Sequence, residues 1–290
     1  MITFIKQDMV EIYSVLSKEI EAISLNEVYE FQIQSKDVDY KVWVDLAHIL
    51  YCKMLTPILK DDILLMKFQK LNTNISFHNE SNNAEEKYGA TSTFSTIDKN
   101  NQPAFLVHYL KALENVKVDT RIRILNLGVN SGEEFEVLKK YSKNFDNLEL
   151  VGIDYCSSAI QKAKKNFTDK NVVFKVGDIN YLEELDLGKF DLIISIGTLQ
   201  STNLDFNKVF MNIVQNYLKT DGAMILGFPN CRWIDGEMIY GAMVKNYNFS
   251  ELSLLYKDVN YCKKYLQQKK FRVTITGKDY IFLTATSIRK

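Results

Sequence analysis

The sequence is short of the residues that mark secreted scaffolds, metal proteins and membrane spans. Its 290 residues hold four cysteines, Cys52, Cys156, Cys231 and Cys262, widely separated and without a CxxC pair. That argues against a disulfide framework or a zinc site and fits reduced thiols in a cytoplasm, the expected location. Only three histidines occur, His48, His78 and His108, too few for a His-rich metal centre, and no metal is expected. No apolar stretch approaches the roughly 18 to 20 residues of a membrane span. The start, Met1 to Lys6, lacks a basic segment followed by a long apolar one, so it does not read as a secretory signal. Charge of one sign is missing too: 36 basic and 36 acidic residues cancel. A whole-protein electrostatic grip on nucleic acid or an anionic membrane is therefore not expected.

What remains is ordinary for a soluble globular protein, with 46% hydrophobic and 25% charged residues. Residues 1–85 show a helical pattern at 8–23, a strand pattern at 28–33, a helical pattern at 41–56, and a strand or helix at 63–68. They read as an N-terminal α+β accessory region, either a substrate cap or an oligomerisation element. A polar stretch around 79–87, rich in turn formers, reads as a linker or exposed loop. From Pro103, placed to open a helix to about Val116, strands and helices alternate. Strand patterns fall at 122–127, 148–153, 172–176, 190–196, 222–228, 271–276 and 280–286. Helical patterns fall at 132–143, 157–167, 204–219 and 250–269. Such alternation predicts an α/β doubly wound, mostly parallel sheet over 86–290. The four-residue link 276–279 is too short for a crossover, so the last strand is predicted to be antiparallel.

The candidate binding residues sit where those strands end. Strand 122–127 runs into Gly128-Val129-Asn130-Ser131-Gly132 and then a helix. Gly128 lets the strand turn tightly, and Gly132 lets helix and ligand approach closely. Glu133 and Glu134 lie in the helix's first turn, where the macrodipole favours carboxylates. The second strand ends at Asp154, followed by Tyr155, and a carboxylate there is the usual acceptor for a ribose diol in doubly wound folds. The third strand ends at Gly177-Asp178-Ile179, where an acid can accept from an adenine amino group with Ile179 against the ring. The fourth ends at Ile196-Gly197-Thr198-Leu199-Gln200. A nicotinamide fingerprint, Gly-x-Gly-x-x-Gly, fails from Gly128, because Asn130 and Glu133 stand where glycines should be.

Over roughly residues 86–290 these elements, in this order and with the terminal hairpin, resemble the class I S-adenosylmethionine-dependent methyltransferases. The resemblance implies a Rossmann-like seven-stranded sheet whose last strand is antiparallel. It implies S-adenosylmethionine as cofactor and S-adenosylhomocysteine as product. Gly128 and Gly132 would then flank the methionine part, Asp154 would bind the ribose, and Asp178 with Ile179 the adenine. Tyr88 stands where family members often place an aromatic to cover the cofactor. Gly197 and Tyr155 join the candidate cofactor set. Two departures stand out. Asn130 replaces the middle glycine of the family's Gly-x-Gly-x-Gly, and Asn tolerates positive φ better than most residues. Asn126 stands where the family often has an acid, so it accepts a hydrogen bond but supplies no carboxylate for the methionine ammonium.

The acceptor side is less patterned. No Asn-Pro-Pro-Tyr-type signature follows the fourth strand. Residues 228–240, after the fifth strand, gather Asn230, Arg232, Trp233, Asp235, Glu237 and Tyr240 as candidate acceptor contacts. Arg232, one of five arginines, suits a carboxylate or phosphate. The bland reading is that Trp233 and Tyr240 pack the loop while Arg232 pairs with Asp235 or Glu237. Cys231 has no following histidine to activate it. Lys257, Lys263, Lys264, Lys269, Lys270 and Arg272 form a basic cluster beside Tyr261 and Tyr265, read as a solvated helix face over an apolar stripe or as a base-stacking surface. A small-molecule acceptor, with an acidic group, is the favoured reading. The alternatives are RNA or protein methylation, and a non-catalytic protein that binds the adenosyl ligand.

Overall fold

A computed structural model describes residues 1–37, 39–75, 97–201, 204–241 and 252–289. The chain divides into two compact units: Met1–Asn79 with Trp233–Ile239, and Glu80–Arg232 with Tyr240–Lys290.

In the first unit, β1 (Ile2–Phe4), α1 (Met9–Ala22), β2 (Val28–Gln34), α2 (Tyr40–Ile49), β3 (Cys52–Lys60) and β4 (Ile63–Lys70) follow one another. The sheet order is β1-β2-β4-β3, with β1 parallel to β2 and the other pairs antiparallel. Asp8 and Asp39 cap α1 and α2 through their side chains. Leu16 and Ile20 of α1, Phe31 and Ile33 of β2, Trp43 of α2 and Phe68 of β4 meet in one apolar core. The helix expected over 41–56 ends at Ile49, and Cys52–Lys60 is a strand. Tyr51 turns the chain at φ 53°. Pro57 cannot donate within a helix, and it sits where the β3–β4 register shifts.

The second unit carries α3 (Pro103–Asn115), β5 (Arg123–Leu127), α4 (Glu133–Tyr141), β6 (Glu149–Asp154), α5 (Ser157–Asn166), β7 (Val172–Val176), β8 (Phe190–Ile196), α6 (Phe206–Asn212) and β9 (Leu218–Pro229). After β10 (Cys231–Ile234) and β11 (Glu237–Tyr240) come α7 (Leu252–Gln268), β12 (Phe271–Gly277) and β13 (Tyr280–Ser287). Seven strands form one sheet in the order β12-β13-β9-β8-β5-β6-β7. The inner pairs are parallel, and β13 runs antiparallel to both β9 and β12, as the short 276–279 link demands. Alternation sends Leu125, Leu127 and Ile193 to one face, with α6 and α7. It sends Ile124, Leu192 and Ile194 to the other, with α3, α4 and α5.

Tyr261 and Tyr265 of α7 are packed inward. They stack on each other at 6.3 Å between centroids and lie edge-on to Phe210, and the Tyr265 hydroxyl accepts from Gln215. Both rings thus contribute to packing between α7 and α6.

Segment 231–240 forms a hairpin. Asp235 (φ 48°) and Gly236 (φ 79°) are both left-handed, the two-residue turn that strand twist favours. Its end, Trp233–Ile239, belongs to the first unit.

Candidate cofactor site

The site is built where β5, β6 and β8 end on one edge of the parallel sheet. The chain leaves β5 through Gly128 at φ 75°, Asn130 at φ 46° and Gly132 at φ 96°. Gly128 is required twice over. Its φ is left-handed, and a Cβ there would lie 1.9 Å from Thr198 Oγ1, in the loop that follows β8. At Gly132 a Cβ would lie 2.6 Å from the Phe167 ring, so the residue also allows close packing between α4 and the end of α5. Asn130 adopts the left-handed conformation that its departure from glycine required.

Asp154 fixes this loop. Its Oδ2 accepts from the Asn130 backbone N–H at 2.9 Å and its Oδ1 from that of Cys156 at 2.9 Å. Burial raises its pKa, and those two N–H groups pull the other way. Each carboxylate oxygen can accept twice, so both retain a lone pair for a diol. Asp178 starts a short helical turn by accepting from the Asn180 N–H at 2.8 Å and stays partly exposed. Ile179 is buried among Leu182 and Leu187. Tyr155 is half exposed. Gly197, at φ 75°, donates its N–H to Gly227 at 2.8 Å. Tyr88 lies outside the described residues.

Beneath the loop is a buried polar network that sequence reasoning missed. Glu134 is 1% exposed. Its Oε1 accepts from Lys99 Nζ at 2.5 Å and its Oε2 from Asn126 Nδ2 at 3.2 Å. Asn100 Nδ2 donates to the Glu133 carbonyl at 3.0 Å, and Ser131 Oγ donates to Glu133 Oε1. Burial opposes the charge on Lys99, yet the Glu134 and Glu133 carboxylates more than offset it and raise its pKa. Burial raises the pKa of Glu133, with Lys99 opposing. Asn126 is fully buried, and its Oδ1 has no hydrogen-bond partner among the described residues. An orphaned buried acceptor costs about 1–3 kcal/mol. A signal existed: Glu134 lies four residues before the buried Leu138 and so on the helix's apolar stripe.

This donor and acceptor set fits an adenosyl amino acid. It offers a carboxylate with spare lone pairs, a left-handed glycine loop, and one unsatisfied amide oxygen at the end of β5.

The acceptor candidates divide between the units. Asp235 Oδ2 accepts from the Asn72 N–H at 3.0 Å, and its own N–H donates to the Ile75 carbonyl at 2.8 Å. Glu237 pairs with Lys53 at 2.5 Å and with His48 Nε2 at 3.7 Å. The nearby His48 imidazole lowers the Glu237 pKa most, Lys53 adds to that, and burial opposes it. Both carboxylates thus have partners inside the first unit. Trp233 is buried, with no partner for Nε1 among the described residues. In the second unit, Asn230 exchanges backbone and side-chain bonds with the 278–279 turn, its N–H to Asp279 O at 2.8 Å and Nδ2 to Lys278 O at 3.0 Å. Arg232 is half-buried and Tyr240 exposed. Burial pushes the Cys231 thiol up to about 12, which excludes a thiolate nucleophile near neutral pH. The hairpin had a sequence signal, Asp235-Gly236, that the mixed composition around it obscured.

A family model described as a methyltransferase domain matches residues 119–275. Malonyl-[acyl-carrier protein] O-methyltransferase of Bacillus anthracis is 34% identical over 107 residues, 37% of this chain and 37% of that protein. The chain thus matches just over a third of the length of such curated relatives. Among solved structures, the plantazolicin methyltransferase BpumL in complex with SAH is 14% identical, with a TM-score of 0.46 over 66% of this chain and 88% of that one. The ribosomal protein L11 methylase of Lactobacillus delbrueckii subsp. bulgaricus is 16% identical, with a TM-score of 0.43 over 66% and 81%. With the matched region spanning more than half of the sequence, the chain belongs to the class I S-adenosylmethionine-dependent methyltransferase family.

Proposed function

We propose that this protein transfers a methyl group from S-adenosylmethionine to a carboxylate oxygen of a small acyl or organic acid. The observation that carries the cofactor half is Asp154, buried at the end of β6 and holding the 128–132 loop through two backbone N–H groups. When bound, S-adenosylmethionine supplies a methyl on a positively charged sulfur, which departs as a neutral thioether once an oxygen takes the methyl. The protein's part is to align the partners and exclude water. Asp154 would hold the ribose, Asp178 the adenine amino group, and Gly128 the bare backbone beside the methionine part.

The acceptor half rests on chemistry rather than on a bound molecule. The curated relatives are named for O-methylation of a malonyl group on acyl-carrier protein, and a malonyl group ends in a carboxylate. A carboxylate is already deprotonated near neutral pH, so the attacking oxygen needs no general base. Arg232, just past the end of β9, has the planar fork that binds a carboxylate bidentately. Asn230 and Tyr240 belong to the same unit. The test is incubation with S-adenosylmethionine and a panel of malonyl thioesters and small mono- and dicarboxylic acids, read by mass spectrometry. A methyl ester, with transfer impaired in Arg232→Gln, supports the reading. S-adenosylhomocysteine binding without methyl ester from any acid rejects the acceptor class.

A further inference from the structure

Asn126 and Glu134 pose a shared question. The end of β5 lacks the carboxylate that an ammonium group would favour, yet a carboxylate is buried one hydrogen bond behind it, on α4. Glu134 is not a surface acid that turned inward by chance. Its two oxygens are divided between two partners, Lys99 Nζ at 2.5 Å and Asn126 Nδ2 at 3.2 Å. The Tyr109 hydroxyl donates to the Glu134 backbone carbonyl at 3.4 Å, and Asn100 Nδ2 donates to the neighbouring Glu133 carbonyl at 3.0 Å. The helix turn that carries Glu134 is therefore held in place from two sides.

A carboxylate can only accept hydrogen bonds. Whatever faces Glu134 Oε2 must therefore be the NH2 of the Asn126 amide, and the amide's other end must be its oxygen. That oxygen is the fully buried acceptor with no partner among the described residues. We infer that Glu134 is a positioning residue: it locks the Asn126 side-chain amide so that Oδ1 faces the ammonium of the cofactor's methionine part, replacing the carboxylate that Asn126 lacks. This inference rests on the cofactor reading given above. Lys99 completes the device, because its charge keeps Glu134 Oε1 engaged and leaves only Oε2 for the amide.

Glu134→Gln preserves shape but breaks the lock. With Lys99 holding the single amide oxygen of the new side chain, its NH2 turns toward residue 126, and the Asn126 oxygen rotates away from the ligand to accept from it. Asn126→Asp alone places two carboxylates 3.2 Å apart in a buried site, which like-charge repulsion disfavours. Combining Asn126→Asp with Glu134→Gln exchanges carboxylate and amide. The carboxylate now at position 126 accepts from the amide NH2 at position 134, and Lys99 keeps the amide oxygen there. One carboxylate oxygen is then free for the ammonium.

The experiment is calorimetric titration of the full chain and these variants with S-adenosylhomocysteine and with 5′-methylthioadenosine, which lacks the ammonium and carboxylate. Thermal unfolding of the ligand-free proteins is recorded alongside. Glu134→Gln is expected to weaken S-adenosylhomocysteine by about tenfold or more, the scale of one charge-supported hydrogen bond, and to leave methylthioadenosine within about twofold. The double variant recovers most of that loss, and Asn126→Asp melts lowest of the ligand-free proteins. Equal weakening of both ligands by Glu134→Gln, or a double variant no better than the single one, overturns the positioning role and leaves the cofactor reading intact. Wild-type protein that folds and binds neither ligand overturns the cofactor reading, and the positioning role with it.

Discussion

The two units solve the problem of a stable interior in different ways. In the first unit the core around Phe31 is wholly apolar and rich in aromatic rings: Phe31 meets Phe4 at 5.8 Å, Trp43 at 5.6 Å and Phe68 at 5.1 Å. Its acids work at the surface, as caps at Asp8 and Asp39 and in the Glu237 pairs. In the second unit, Asn126, Ser131, Glu134, Asp154 and Ser195 are all buried at or near strand ends. Every buried polar or charged residue described belongs to this unit. Burying such groups is costly unless each is paired, so their concentration on one sheet edge marks where stability has been exchanged for binding chemistry. The apolar unit has no comparable edge among the described residues.

That contrast can be broken experimentally. Phe31→Ala is the largest expected perturbation, about 3–5 kcal/mol for a fully buried aromatic. Hydrogen exchange should show lost protection in β2 and β4, while the affinity for S-adenosylhomocysteine stays unchanged. An equal loss of binding would mean that the units are not energetically separate.

Gly128→Ala and Gly236→Ala sharpen the difference at nearly matched backbone angles, φ 75° and 79°. At Gly128 the new Cβ meets Thr198 at 1.9 Å, and at Gly236 it meets nothing within 4 Å. Backbone strain alone costs about 1–2 kcal/mol. The clash should bring Gly128→Ala to about 2–4 kcal/mol and abolish adenosyl binding. Denaturant titration of both variants checks the ordering, and similar losses would contradict the role given to the loop.

The smallest pair compares one acid in each unit. Asp191 accepts from Lys219 at 3.0 Å and from the Arg123 N–H at 2.9 Å. Burial would raise its pKa, but these bonds more than offset that and lower it. Glu237 is lowered chiefly by His48. A lowered carboxylate pKa contributes stability that is present above the unfolded value, about 4 for either acid, and lost as pH falls through the folded value. Asp191→Asn and Glu237→Gln should therefore each cost about 0.5–1 kcal/mol at neutral pH. The difference from wild type should begin to shrink as pH falls below about 4 and vanish once pH is below the folded value, which thermal melts across pH would show. A deficit that persisted in acid would assign the effect to packing instead.

Local pattern made the second unit readable. Alternating apolar residues marked the strands, the Gly128 loop followed the first of them, and Asp154 closed the next. The short 276–279 link dictated the antiparallel last strand. The helix expected over 41–56 was misread because Cys52–Lys60 is apolar enough for either state, and only pairing with β4 decides it. Local spacing does not reveal that Trp233–Ile239 joins the first unit, because its partners, Asn72, Ile75, His48 and Lys53, lie far away in sequence. Glu134 was visible as a charge on an apolar stripe, but its partner Lys99 is 35 residues earlier and carries no motif.

The most direct measurement is calorimetric titration of wild-type protein and Asp154→Ala with S-adenosylmethionine, S-adenosylhomocysteine and NAD, with circular dichroism to confirm folding. Micromolar binding of both adenosyl ligands, no binding of NAD, and at least about a tenfold loss in the variant are expected. Folded wild-type protein that binds neither adenosyl ligand, or an Asp154→Ala protein that binds them as wild type does, would contradict the assignment of this strand edge as the cofactor site.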